Sequence, residues 1–165
     1  MNIHRILRIC WVYILTKCGK AINVWSSESY PANVLSNLYP NAFEIDGIEC
    51  ASMEGFLQSL KYEDPEVQKA ICALSGHDAK DRSISDWQST QIIYWQGTSI
   101  HRQSADFQAL LLRAYQSLFH QNETFHAALL ATRGKRIYHT RGLADPRKTI
   151  LTEKEFCEFL MNVRK

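Results

Sequence analysis

Apolar residues along this chain recur with two different spacings. Between residues 104 and 119, Phe107, Leu110, Leu111, Ala114, Tyr115 and Leu118 return every three to four positions, the spacing of one buried helix face. Met53, Phe56, Leu57 and Leu60 repeat the pattern behind Ser52, a residue suited to cap a helix running to about Tyr62. Asp64-Pro65 opens a third helix, carrying Val67, Ala70, Ile71 and Leu74 and ending at Gly76. Asn122 caps a fourth that runs to about Ala131, with Gly134 beyond it. Thr152 and Glu155 form a capping box for the last helix, which turns Phe156, Phe159 and Leu160 inward.

Strand signals are shorter. Ala21–Trp25 is a short apolar strand candidate, and Arg136–Thr140 is a second short strand candidate. In 42–50, Asp46-Gly47 separates two alternating segments, which predicts a hairpin burying Phe43, Ile45, Ile48 and Cys50. Residues 81–87 are polar and read as a loop, and the stretch between Trp87 and Trp95 is rich in Gln and assigned to no element. The expected architecture is one helix-rich α+β domain over 21–165, preceded by an extension of uncertain role at 1–20. That extension holds an apolar run, Ile9–Leu15, too short to span a bilayer. Arg5, Arg8 and Lys17 make it at most a weak amphipathic surface segment.

Composition narrows the class. With 165 residues, 45% hydrophobic and 22% charged, the chain is neither low-complexity nor multidomain and can build a core without staples. A net charge of +2 gives no electrostatic case for duplex DNA or an acidic membrane, while leaving room for a local phosphate pocket. Five cysteines at irregular spacing, with no CxxC, predict reduced thiols and a cytoplasmic protein. No Walker loop, dinucleotide fingerprint, serine elbow or HExxH occurs.

Candidate chemistry therefore rests on polar residues at structured edges. Glu54 lies in the first turn of a helix, with Gln58 and Lys61 on its face. An enclosed carboxylate there suits a general base or the stabilisation of a cationic sugar, although helix dipoles alone also favour acids in first turns. Ser36-Asn37 sits between leucines and fits either a ligand contact or a turn cap. Lys80 and Arg82 suit phosphate, or a solvated loop. Trp25, Trp87 and Trp95 can stack on bases or serve the core. His77 and His139 read as structural.

The order of these segments resembles the NADAR family, the YbiA-like N-glycosidases. The matching stretches are INVW at 22–25, LSNLYPNAFEIDG at 35–47, SMEGFLQSLK at 52–61, AK at 79–80, LLATRG at 129–134 and LMNVR at 160–164. The resemblance implies hydrolysis of an N-glycosidic bond, with no metal or redox cofactor. The implied substrates are phosphorylated aminopyrimidine ribosides or ADP-ribose on guanine, as a small molecule or in nucleic acid. No stable duplex DNA binding and no membrane partner are expected. It assigns Glu54 to activating water or stabilising the oxocarbenium-like sugar, with Asp145 as a second acid. It assigns Ser36 and Asn37 to sugar or phosphate, Gln58 and Lys61 to the same helix face, Lys80 to phosphate, and Trp25 to the pocket wall.

Two departures stand out. Gly55 replaces the family's histidine. The family's late Asp-x-x-Trp-Gly element is absent from 142–156, where Asp145 stands for the acid and no tryptophan follows, so that wall is either missing or supplied from elsewhere, by Trp87 or Trp95. These departures imply an altered substrate, a catalytically inactive ADP-ribose or nucleotide binder, or a phage-type interaction protein.

Overall fold

Residues 3–165 are described by the computed structural model; the first two positions of the 1–20 extension lie outside them. Helix α1 (Ile3–Lys17) leads into strand β1 (Ala21–Asn23). The predicted hairpin is present as β2 (Phe43–Ile45) and β3 (Ile48–Cys50), with Asp46 and Gly47 both at positive φ, the geometry that selects Asp-Gly. Phe43, Ile45 and Cys50 are buried beneath it.

Helix α2 (Met53–Ser59) starts where Ser52 accepts a hydrogen bond from the Gly55 amide and ends with Leu60 as its cap, short of Tyr62. Helix α3 (Pro65–Cys72) stops at Ala73, and Gly76 opens a further helix, α4 (Gly76–Lys80), instead of closing α3. The apolar face expected for α3 is corrected too. Val67 and Ala70 are exposed, while Gln68 is buried. The Gln68 amide donates to the carbonyls of Tyr62 and Tyr94 and accepts from the Gln96 amide. A buried glutamine satisfied at both ends ties α3 to the next part of the chain.

That next part is the Gln-rich stretch, which folds as α5 (Trp87–Thr90) and a second hairpin, β4 (Ile92–Trp95) and β5 (Thr98–His101). Its turn, Gln96-Gly97, also has both φ values positive. Helix α6 (Ala105–Gln121), α7 (Glu123–Leu130), strand β6 (Arg136–Tyr138) and α8 (Glu153–Val163) follow as predicted, α7 and α8 with their expected caps, while Ser104 caps α6 by accepting from the Phe107 amide. The result is the expected α+β arrangement, mostly helical with short strands.

The core forms around α6, whose Phe107, Leu110, Leu111, Ala114, Tyr115 and Leu118 are all buried. Tyr115 stacks on Phe159 of α8. Strands β1 and β6 pair in parallel, Ala21 with Arg136 through Asn23 with Tyr138. The chain leaves both strands at the same end, and the Asn23 side chain holds the exits together by donating to the Thr140 hydroxyl and accepting from the Thr140 backbone amide.

Gly55 is explained by packing. A Cβ there would lie 2.5 Å from the Leu74 carbonyl oxygen and 2.9 Å from that of Cys72. Both are backbone atoms at the end of α3, so α2 and α3 approach too closely for any side chain. Gly55→Ala is expected to destabilise the protein by about 2 kcal/mol, within the usual range for overpacking. Thermal unfolding checks this, and an unchanged midpoint would show that the helices separate freely.

Candidate functional site

Two adjoining cavities, about 790 and 510 Å³, open between α2, α4, the strand exits and α8. Both are lined by Asn37, Glu54, Lys80, His139, Arg141 and Phe156. The larger adds Gln58, Lys61, Ser83, Trp87 and Lys148. The smaller adds Trp25, Ser26, Ser36 and His77. Glu54 therefore stands where the two lobes meet.

Local structure fixes each side chain. The Glu54 amide, in the first turn of α2, donates to the Asn37 carbonyl at 2.9 Å, tying the Ser36-Asn37 turn to the helix. One turn on, Gln58 Nε2 donates to Glu54 Oε1 at 2.7 Å. Asn37 Oδ1 accepts from the fully buried Tyr115 hydroxyl at 2.9 Å. Burial pushes the Tyr115 phenol well above its usual range, so it remains a donor, and Asn37 is left with its amide nitrogen to offer the cleft. On the opposite wall, His139 Nδ1 meets the Val24 carbonyl and its ring stands edge-on to Phe156. The Arg141 guanidinium lies over the Trp25 ring.

Lys61 is the electrostatically unusual residue. Its ammonium donates to Ser83 Oγ at 2.7 Å and lies near the Trp87 ring. Burial lowers its pKa to about 8, against an opposing pull from Glu54. A lysine with a lowered folded pKa costs stability in full below about pH 8, and the cost fades as pH rises from there toward 10.5. Lys61→Met should therefore stabilise the protein at pH 7, by about 1 kcal/mol, with the gain shrinking toward pH 10 in thermal unfolding. A loss of stability at pH 7 would count against this account.

Two buried polar atoms in the larger lobe have no partner, Gln58 Oε1 and Trp87 Nε1. Because Gln58 Nε2 is committed to a carboxylate, the orientation of its amide follows from chemistry. An acceptor and a donor thus remain unsatisfied within residues that wall this lobe.

Of the residues singled out in the sequence, Glu54, Asn37, Ser36, Gln58, Lys61, Lys80, Trp25 and Trp87 all line the cleft. Asp145 does not. Its carboxylate is held by the Arg147 guanidinium and backbone amide at the surface, which keeps its pKa below the usual carboxylate value. Arg82 lines neither lobe, and its carbonyl accepts from the Tyr62 hydroxyl. Trp95 is a core residue, edge-on to Phe56 and bonded to Asp46, so the aromatic wall of the larger lobe is Trp87. Sequence reasoning missed His139 and Arg141 as site residues. Their signal is position, directly after a strand that pairs with the strand ending at Trp25. Among the described residues, no group of three His, Cys, Asp or Glu side chains is placed to hold a metal ion.

Comparison with known proteins places this geometry. Residues 29–165 match the family described as Bacteriophage protein GP30.3. The chain belongs to that family. The GP30.3-family chain is also 35% identical over 147 residues to a 17.1 kDa protein from the Gp30–rIII intergenic region of Enterobacteria phage T4, covering 87% of this chain and 96% of the relative. Its fold is similar to the NMR structure of the E. coli protein YbiA, with a TM-score of 0.59 and 16% identity over 88% of this chain and 83% of that one. The GP30.3-family chain thus shares the fold of YbiA, as the sequence resemblance implied. The cleft residues Asn37, Glu54, Lys80, His139 and Arg141 all fall inside the matched family region.

Proposed function

We propose that this protein is an N-glycosidase that hydrolyses the bond between a ribose and a base, on a substrate carrying phosphate. The observation that carries the reading is the position of Glu54, the one carboxylate that lines both lobes, at their meeting point; Asp81 and Asp86 line the larger lobe alone. A ribosylated base has that shape. Its base fits the larger lobe, beside Trp87 and Gln58, where stacking on the indole gives it contacts. Its phosphates fit beside Lys80 and Arg141.

In the reaction, the bond from C1′ to the base nitrogen breaks and its electron pair leaves with the nitrogen. Positive charge develops on the sugar, and Glu54 stabilises it at close range in a partly enclosed site. Water then bonds to C1′ and gives its proton to Glu54. The departing nitrogen takes a proton from Lys61, whose pKa near 8 keeps it charged at neutral pH and able to donate. Activity should fall above about pH 8 as Lys61 loses its proton.

The test is direct. Purified protein is incubated with guanine-ADP-ribosylated nucleic acid and with aminopyrimidine ribose phosphates, and base or ADP-ribose release is followed by mass spectrometry. Release from either supports the assignment. Asp145 lying outside the cleft favours a second reading, a binder of ADP-ribose or a nucleotide that performs no chemistry. Saturable binding with no release from either substrate would select it.

A further inference from the structure

Helix α1 presents its apolar residues to solvent. Ile3, Leu7, Trp11, Tyr13 and Ile14 are each more than half exposed, and Ile6 is 39% exposed. Their three- and four-residue spacing puts them on one continuous outer stripe. The inner side carries Val12, the only buried residue of the helix, together with Arg8, paired to Glu153, and Arg5 and Ile9, which line a shallow groove with Trp25 and Arg141. Charge faces the domain and hydrocarbon faces out, the reverse of an ordinary surface helix. The stripe amounts to on the order of several hundred Å², the size at which an exposed apolar patch marks an interaction site.

We infer that α1 is an interfacial helix that lies flat on an anionic lipid surface. Charge selects this occupant. Residues 1–27 contain no Asp or Glu, and Lys17 and Lys20 follow the apolar stripe. The β1–β6 pairing brings Arg136 beside Lys20, whose carbonyl accepts from the Arg136 amide, and with it the nearby Lys135 and Arg133. Two copies meeting through this face would bring these cations together. An anionic leaflet neutralises them while its acyl region takes up Ile3, Leu7 and Ile14. Trp11 and Tyr13 suit the boundary between the two. No described helix is long and apolar enough to cross a membrane, so α1 rests on the surface. The expectation of no membrane partner drew on the small net charge of the whole chain and on the weak amphipathic pattern of the first 20 residues, and neither registers an apolar stripe that folding leaves outside.

The experiment is sedimentation of the full chain with vesicles of phosphatidylcholine alone or mixed with phosphatidylglycerol. Binding to the mixed vesicles is expected to exceed that to the neutral ones by about tenfold and to weaken in high salt. The double variant Trp11→Glu, Ile14→Glu should abolish it. Its thermal midpoint should be unchanged, since both side chains face solvent. Lys17→Glu with Lys20→Glu should remove the preference for the anionic vesicles. Equal binding to both vesicles, no binding to either, or a dimer in solution that Trp11→Glu dissolves would each overturn the inference. So would displacement of the mixed vesicles by RNA that binds the same face.

Discussion

Glu54→Gln is expected to abolish base release, by about a thousandfold, while leaving the fold intact. The substitution changes one atom's identity and almost no volume. A glutamine at position 54 can still accept from Gln58, and its backbone amide still donates to Asn37, so the local scaffold survives. What disappears is the negative charge at the meeting point of the lobes. About 4 kcal/mol of transition-state stabilisation corresponds to the thousandfold loss. The paired measurement is single-turnover base release and thermal unfolding, with the midpoint held within about 4 °C. Full activity in Glu54→Gln would move the catalytic role elsewhere. Intact ligand affinity with lost turnover would separate chemistry from binding.

Glu155→Ala is expected to be the most destabilising single change to a polar residue, costing about 3–5 kcal/mol. Arg102 is fully buried and its guanidinium forks onto both oxygens of Glu155, at 3.1 and 2.7 Å. The same carboxylate accepts from Gln108 and from the Thr152 amide and hydroxyl. Removing it leaves a buried cation without its anion and takes away the carboxylate half of the α8 capping box, although Thr152 still accepts from the residue-155 amide. Burial alone would raise the Glu155 pKa, but the bonds from Arg102 and Thr152 outweigh it and hold the carboxyl at about 2. A carboxyl with a depressed folded pKa contributes stability that is complete above about pH 4.5 and lost as pH falls toward 2. Wild type should therefore lose stability steeply across that window, and Glu155→Ala should show a flatter acid limb. Chemical denaturation from pH 2 to 7 reads both. A control at the exposed Lys154–Glu158 pair should shift stability by less than about 1 kcal/mol. Because Arg102 also donates to the Thr149 carbonyl, and residues 148–152 line the larger lobe, the same variant should loosen the cleft wall.

Elements with a strong period and a cap could be read from the sequence. For α6 and α8, spacing and cap agree with tertiary packing, and structure follows pattern. The β4–β5 hairpin could not be read because Gln96-Gly97 is a weaker turn signal than Asp46-Gly47. The strands also split their burial unevenly, Ile93 and Trp95 inward against a largely exposed β5. The α3 face was misread because the position beneath it is taken by a glutamine that serves as a bolt between elements, which hydrophobic spacing cannot reveal. In the cleft, residues within one local motif were legible, notably Glu54, Gln58 and Lys61. The wall built by His139 and Arg141 exists only through pairing between distant strands. Asp145 shows the opposite failure, since its place in the chain order suggested an acid that Arg147 holds outside the cleft.

The pairing of β1 with β6 also sets the order in which the molecule becomes complete. Residues 21–23 must wait for 136–138 before the ladder closes, and Trp25 meets Arg141 only then. During synthesis, the Glu54 helix and its hairpin can form while the second wall of the cleft has not yet emerged. Contacts of such separation form late and slowly. A nascent chain halted before residue 136 should hold α2 with a one-sided groove. The capacity to enclose a ligand would then arrive late, when β6 and α8 dock.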